Sequence, residues 1–253
     1  MVKMKKNVII TGGAGRIGSA LALDLVKQGH KVLLGDINRS KLLKIKKKLN
    51  SKNVEIFHGD LTIKTNIDKF IKFCTRKSKN IHAAVHCSYP TSRKWGTRFE
   101  NLEEKYLNQD LQKQLGAAII FCQRIMKHFL KQKKGNLILI SSIQGIDAPK
   151  FDHYKNLNMT SPIEYSAIKS GIISISRYLS KYYKNKNVRV NCVSPGGIKS
   201  NQKKLFVKRY RQSCSSKGLL DASDVSKSIL FLISDESKYI TGQNLIVDDG
   251  WSL

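Results

Sequence analysis

The chain has 253 residues, and 46 Lys and Arg against 18 Asp and Glu give it a formal net charge of +28. Hydrophobic residues make up 41% of the sequence, which is enough to build a core and excludes a wholly disordered chain. No run reaches the roughly 18 apolar residues that cross a bilayer, so an integral membrane protein is excluded. The lysines are spread over most predicted helices and no nucleic-acid-binding motif gathers them, so we expect no specific nucleic-acid partner and no membrane partner.

The amino-terminal residues and the cysteines indicate the compartment. The apolar run 8–10 ends at Thr11 and is too short for the central part of a signal peptide. The five cysteines are odd in number, widely spaced and without a C-x-x-C pair, which favours free thiols over disulfides or a zinc site. We therefore expect a cytoplasmic protein without a metal site.

Short β-branched runs alternate with helical periods along the chain, the pattern of a doubly wound parallel sheet. The strands are predicted at 8–10, 31–36, 54–57, 83–86, 135–140, 188–193 and 244–247. The helices are predicted over 18–28, 41–49, 64–77, 102–132 and 222–233, with a further helix that begins after Ser161. No repeat or low-complexity linker divides the sequence, so we expect one α/β domain over 1–253, with about seven strands flanked by helices.

A glycine-rich loop, Thr11-Gly-Gly-Ala-Gly-Arg-Ile-Gly18, joins the first strand to the first helix. Glycines at 12, 15 and 18 allow a tight turn, the close approach of a pyrophosphate and the packing of the helix on the sheet. The helix amino terminus supplies amide donors and a positive dipole end. The loop therefore predicts a Rossmann fold with a dinucleotide site formed by Gly12, Gly15, Arg16, Ile17 and Gly18.

Acidic residues after the second and third strands refine the cofactor prediction. A carboxylate at Asp36 can accept both hydroxyls of the adenosine ribose and disfavours a 2′-phosphate, which favours NAD(H). The nearby cations Arg16, Arg39 and Lys41 leave NADP(H) open as the less favoured cofactor. Asp60 and Leu61 are placed to meet the adenine ring, although Asp60 equally suits the start of a turn.

A serine pair and a later helix carry the predicted chemistry. Ser141 and Ser142 follow the fifth strand at its carboxyl end, where open α/β sheets bind ligands. Ser161-Pro-Ile-Glu164 is the pattern of a capping box, which places Tyr165 at the start of a helix and Lys169 one turn later on the same face. An ammonium group and a positive helix end should lower the pKa of the Tyr165 phenol towards neutrality, so that it can exchange a proton with a carbonyl or alcohol.

Over nearly the whole chain these motifs resemble the short-chain dehydrogenase/reductase family, which the segments 189–197 and 240–250 also match. The resemblance implies that Ser142 orients the substrate oxygen, that Tyr165 is the acid/base, and that Lys169 also binds the nicotinamide ribose. It further implies cofactor contacts after the sixth strand by Pro195, Gly196, Ile198 and Ser200. Such enzymes often form homodimers or homotetramers through the helices around 102–132 and 163–183, and we expect one of these states here.

The sequence departs from the family pattern at three places. His86-Cys-Ser-Tyr-Pro90 replaces the Asn-Asn-Ala-Gly segment, and Lys113 or Gln114 stands where many members have a relay Asn. The insertion 145–160, together with Ser-Tyr-Pro at 88–90, resembles the flagellin modification protein A subgroup. That resemblance implies the chemistry of bacterial sialic-acid-like sugars.

We therefore expect an oxidoreductase that passes hydride between NAD(H) and a hydroxyl or ketone of a small molecule, with a sugar or an acidic sugar derivative as the expected substrate. Cations within 199–211, in a substrate lid over about 198–220, suggest an acidic substrate, although a solvated helix face explains them equally well. Gln144, His153 and Tyr154 are candidate substrate contacts. The alternatives are an NADPH-dependent 3-oxoacyl-carrier-protein reductase, epimerase or dehydratase chemistry through a keto intermediate, and a non-catalytic dinucleotide sensor.

Overall fold

Residues 4–253 are described by a computed structural model. In this range one sheet contains the strands β1 (Asn7–Thr11), β2 (Lys31–Asp36), β3 (Val54–His58), β4 (Ala83–His86), β5 (Gly135–Ile140), β6 (Val188–Pro195) and β7 (Asn244–Val247). The helices are α1 (Arg16–Lys27), α2 (Arg39–Leu49), α3 (Lys64–Lys77), α4 (Glu104–Asp110), α5 (Ala117–Lys131), α6 (Ile163–Tyr182), α7 (Lys204–Gln212) and α8 (Ala222–Ile233).

The seven strands are all parallel and lie in the order β3-β2-β1-β4-β5-β6-β7. The chain winds outwards from β1 in one direction and then from β4 in the other, so the order reverses between these two strands. Ligands of open α/β sheets bind beyond the carboxyl ends of the strands at this reversal. The predicted doubly wound Rossmann fold is confirmed.

Helices cover both faces of the sheet because the central strands are apolar on both sides, and every residue of β5 is buried. On one face Phe70 of α3, Phe121 of α5 and Ile172 of α6 pack against the strands. On the other face Leu21 of α1 and Ile229 of α8 do the same. The two layers hold the strand ends, and therefore the loops that follow them, in fixed positions.

The single helix predicted over 102–132 is interrupted. It begins at Glu104, and a π-helical segment (Leu111–Gly116) separates α4 from α5. A π segment adds a residue to the turn and shifts the following side chains around the axis. As a result Gln114 is buried while Lys113 lines the cleft described below. Of the two candidates for the relay position, Lys113 is therefore the one that faces the cleft.

The capping box predicted at Ser161–Glu164 is not formed. Helix α6 begins at Ile163 with Pro162 as its N-cap and no side-chain cap. The Ser161 hydroxyl donates instead to Oε1 of Gln144, because the two side chains meet in the cleft. Glu164 is only 2% exposed.

No helix formed by residues 4–253 is long and apolar enough to cross a bilayer.

Candidate active site

A cleft of about 960 Å³ lies at the carboxyl ends of the strands. Its lining includes the glycine loop after β1, the ends of β4 and β5, and the start of α6. The sheet order brings these segments together although more than 150 residues separate the first from the last. A volume of this size can accommodate a large cofactor together with a small substrate.

The glycine loop is shaped to receive a pyrophosphate. Gly12 has φ +63°, and a Cβ there would lie 2.7 Å from the carbonyl carbon of Cys87. A Cβ at Gly18 would overlap the carbonyl oxygen of Gly12. No side chain in the described part of the chain caps α1, whose N-cap is Gly15, so its first amides are free for an anion. The residues present therefore fit a dinucleotide.

Asp36 lies at the end of β2, where the cleft begins. Its Oδ2 accepts the Ala14 amide at 2.9 Å, and its Oδ1 accepts the Asn38 amide at 2.9 Å. The carboxylate thus fixes the loop, and each oxygen keeps a second lone pair for a ribose hydroxyl. Arg16 and Lys41 also line the cleft.

The segment after β3 forms another part of the cleft wall. Asp60 and Leu61, which the sequence predicts as contacts of the adenine ring, line the cleft. Asp60 also begins a turn, because its Oδ1 accepts both the amide of Thr62 at 2.9 Å and its hydroxyl at 2.7 Å. Both interpretations of Asp60 are therefore compatible with the structure.

The residues after β6 line the other side of the cleft, with one exception. Pro195, Gly196 and Ile198 lie there, whereas Ser200 is exposed and absent from the lining. The Ser200 amide donates to Oε1 of Gln202, which turns the chain so that Gln202 occupies the cleft wall. The prediction of a cofactor contact by Ser200 thus does not match this geometry.

Ser142, Tyr165 and Lys169 come together on the cleft. Ser142 lies beside Tyr165, and its hydroxyl favours the ionised form of the phenol. The Lys169 ammonium is buried, donates to the carbonyl of Ile140 at 3.1 Å, and lies 5.5 Å from the centroid of the Tyr165 ring. Ser141, the other member of the serine pair, points away and donates to the Lys169 carbonyl. The geometry therefore selects Ser142 as the serine that can share a ligand with Tyr165.

The predicted lowering of the Tyr165 pKa is wrong for the chain by itself. Burial raises the pKa of Tyr165, and the nearby Ser142 hydroxyl only partly offsets this rise. Burial also lowers the pKa of Lys169 to about 8. The physical reason is that desolvation penalises the charged form of each group. At neutral pH the phenol is therefore protonated and placed to donate.

The three candidate substrate contacts differ in their surroundings. Gln144 and Tyr154 line the cleft, with Gln144 Nε2 3.5 Å from the Tyr154 hydroxyl. His153 also reaches the cleft wall but is only 5% exposed, and its Nε2 lies 2.9 Å from the Ser213 hydroxyl. Burial lowers the pKa of His153, so the ring is neutral at neutral pH. His153 therefore joins the insertion to the segment after α7.

The segment predicted as a lid contains α7, which packs on the insertion through Phe206 and Tyr154. Its cations do not line the cleft: Lys203 and Arg211 are exposed, and Arg209 donates to the carbonyl of Lys155. The face of α7 that meets the protein is the apolar one, which turns the charged residues outwards. These cations thus fit the solvated-face interpretation.

Sequence reasoning overlooked two residues of the site, Tyr89 and Trp95. Both line the cleft, and both rings contact the ring of Tyr165. The only signal was the replacement of the small residues of Asn-Asn-Ala-Gly by a segment that contains Tyr89.

Three comparisons place the chain among known proteins. A family model described as enoyl-(acyl carrier protein) reductase matches residues 12–252. The post-translational flagellin modification protein A of Campylobacter coli is 40% identical over 98% of both chains. A 3-oxoacyl-(acyl-carrier-protein) reductase of Rickettsia prowazekii is 30% identical over 97% of this chain and 96% of its own.

Among solved structures, a short-chain dehydrogenase of Leptospira borgpetersenii with bound NAD+ superimposes with a TM-score of 0.86. It is 27% identical and covers 99% of this chain and 94% of its own. The matches extend over the glycine loop, the Ser142 strand end and the Tyr165 helix alike. The chain belongs to the short-chain dehydrogenase/reductase family of oxidoreductases.

Proposed function

We propose that the protein transfers hydride between NAD(H) and a hydroxyl or ketone of a sugar or an acidic sugar derivative. The observation that carries the proposal is that Ser142, Tyr165 and Lys169 line the same cleft as the glycine loop, with the Lys169 ammonium 5.5 Å from the centroid of the Tyr165 ring. When bound, the nicotinamide supplies or accepts the hydride.

The chain's own residues handle the proton and the orientation. The Ser142 hydroxyl holds the substrate oxygen beside the Tyr165 hydroxyl, which donates its proton to a ketone oxygen or takes one from an alcohol. The Lys169 ammonium stabilises the phenolate that remains on Tyr165 after donation. The carbonyl of Ile140 accepts a hydrogen bond from Lys169 and so holds the side chain behind the phenol.

This arrangement predicts a pH limit on ketone reduction. Below pH 8 both Tyr165 and Lys169 hold their protons, because the pKa of Lys169 is about 8 and that of Tyr165 is raised. As the pH rises through about 8, Lys169 loses the charge that stabilises the phenolate. We expect kcat/KM for reduction to be level around pH 6–7 and to fall above about pH 8. If kcat/KM for reduction already decreased as the pH rose from below 6, while the circular dichroism stayed unchanged, this assignment would be contradicted.

NAD(H) is the proposed cofactor because a carboxylate at the end of β2, where Asp36 lies, would accept the ribose hydroxyls and repel a 2′-phosphate. The NAD+ bound to the Leptospira relative is consistent with this choice. Arg16 and Lys41 line the same end of the cleft and are the groups that NADP(H) would use.

The acidic substrate is supported by a different cation from those suggested by the sequence. Lys113, from the π-helical segment, lines the cleft, and an ammonium group there can pair with a carboxylate or phosphate. The name of the Campylobacter coli relative, a flagellin modification protein, supports a substrate from sugar chemistry.

The test is a screen of hexoses, their 6-phosphates and their uronic acids with NAD+ and NADP+, read as absorbance at 340 nm. We expect NADH to form with a kcat/KM at least about tenfold above that for NADPH formation, and anionic sugars to exceed neutral ones. Lys113→Met should remove the preference for anions, whereas Lys203→Met, on an exposed face, should keep it. Equal rates with both cofactors would contradict the choice of NAD(H). An anion preference that survives Lys113→Met would contradict the binding of an acidic substrate by Lys113.

A second candidate is a 3-oxoacyl-carrier-protein reductase, favoured by the name of the Rickettsia relative. The positive surface suits an acidic carrier protein. Such activity would appear as a loss of absorbance at 340 nm when an acetoacetyl-carrier protein is added to the enzyme and NADPH.

We also propose that the segment 198–220 closes over the substrate. A further proposal is that the protein forms a homodimer or homotetramer. The large apolar side chains Ile119 on α5 and Tyr178 and Tyr182 on α6 are exposed in the single chain, which suits burial against a second copy.

A further inference from the structure

Two aromatic side chains form a wall beside Tyr165. The ring of Tyr89 lies 5.6 Å from the ring of Tyr165 at an interplanar angle of 73°, and the ring of Trp95 lies 5.9 Å from it at 89°. Tyr89 and Trp95 also contact each other, with centroids 5.5 Å apart. The mechanism above uses neither residue, although both line the cleft beside the acid/base.

The wall presents aromatic surface to the cleft. Tyr89 and Trp95 meet edge to face, with an interplanar angle of 89°. Of Tyr89, 47% is exposed, and the residue lines the cleft. An exposed aromatic ring is suited to contact with an apolar face of a ligand.

The loop that carries the wall is fixed to α4. Asp110, which is 1% exposed, accepts the Ser92 amide at 2.6 Å and the Ser92 hydroxyl at 2.7 Å. The Arg93 Nε donates to the Tyr106 hydroxyl at 2.5 Å. A surface that is ordered before binding loses little conformational entropy when a ligand arrives.

Further apolar groups and a few polar ones complete this part of the cleft. Tyr154 and Phe206 have ring centroids 5.2 Å apart, and Met159 lines the cleft with them. Gln144 and Ser161 supply polar atoms within the same lining. A ligand here meets aromatic surface at its faces and hydrogen-bonding groups at a small number of points.

We propose that Tyr89 and Trp95 bind one face of a saturated ring that carries the reacting hydroxyl or ketone. This inference rests on the proposed function and narrows its substrate class to cyclic alcohols and ketones. The C–H hydrogens of a saturated ring carry partial positive charge and meet the negative face of an aromatic ring. An open chain of the same carbon number must lose rotational freedom to cover the wall, and it therefore binds less tightly.

The test measures binding rather than turnover. The chain has two tryptophans, Trp95 and Trp251, so Trp251→Phe leaves Trp95 as the sole indole reporter. In the presence of NADH this variant is titrated with cyclohexanol and with hexan-2-ol, which match in carbon number and hydroxyl count. Quenching of the Trp95 fluorescence gives both dissociation constants. We expect cyclohexanol to bind at least about fivefold more tightly than hexan-2-ol. The ratio of the two dissociation constants should fall to about one when Tyr89→Ala is added.

Tyr239→Ala serves as the matched control, because Tyr239 is 90% exposed and lies outside the cleft. Added to Trp251→Phe, it should leave the ratio of the two dissociation constants unchanged. If the Trp251→Phe chain does not fold, thermal-shift titrations of the wild type and of Tyr89→Ala give the same ratio. Equal affinity for ring and chain in the parent, or a ratio that Tyr89→Ala leaves unchanged, overturns the inference. None of these measurements needs Tyr165 to move a proton, so turnover by wild type and Tyr165→Phe tests the proposed function separately.

Discussion

Tyr165→Phe is expected to lower kcat for alcohol oxidation and ketone reduction by about 10³-fold or more, because it removes the hydroxyl to which the mechanism assigns proton exchange with the substrate oxygen. The phenyl ring keeps its contacts with Tyr89 and Trp95, so the site should keep its shape. NADH binding, measured by fluorescence titration, should change by less than about twofold, since the hydroxyl is not needed to hold the cofactor.

The control for this substitution is Tyr239→Phe, which removes the same atom from a side chain that is 90% exposed. It should leave kcat and KM at the wild-type values. If Tyr165→Phe retained a tenth or more of the wild-type kcat, another group would have to be the acid/base.

Gly18→Ala is expected to abolish cofactor binding and to destabilise the fold. The added methyl group would overlap the carbonyl oxygen of Gly12, and it would also press on Gly13. Backbone atoms cannot move aside as a flexible side chain can, so the loop that receives the pyrophosphate must shift. We expect the dissociation constant for NADH to rise at least a hundredfold, about 3 kcal/mol, and the free energy of unfolding to fall by about 1–3 kcal/mol.

Gly116→Ala is the matched control, because a Cβ there would lie 3.8 Å from its nearest neighbour, the Leu111 carbonyl oxygen. This substitution should leave NADH binding unchanged and keep the melting temperature or raise it slightly, since alanine is the better helix residue. Isothermal titration with NADH and thermal melts of the three chains are the measurements. Unaltered NADH affinity in Gly18→Ala would show that the loop does not bind the cofactor.

Much of the fold could be predicted from local sequence. The strands are short runs rich in apolar residues, and the loop from Thr11 to Gly18 has a spacing typical of a strand–turn–helix, so the bounds of the strands and of α1 are predicted to within two residues. Tyr165 and Lys169 are four residues apart on one helix, and helical geometry alone places them on one face. The family assignment follows from the same motifs.

The tertiary structure decided what depends on packing between distant segments. The family resemblance already pointed to Ser142, and the structure adds the physical reason, because the Ser141 hydroxyl donates to the Lys169 carbonyl. The raised pKa of Tyr165 follows from burial that no spacing encodes. The π-helical turn selected Lys113 over Gln114, and the packing of α7 turned its cations to solvent.

The charge of +28 illustrates the same division. The sequence determined the net charge and showed that no motif concentrates the lysines in one segment. Only the fold determined which few ammonium groups reach the cleft. The aromatic wall of Tyr89 and Trp95 also exists only in three dimensions, because Asp110, 18 residues after Ser92, holds the loop that carries it. Contacts of this kind depend on the relative positions of separate elements, and local sequence patterns do not contain them.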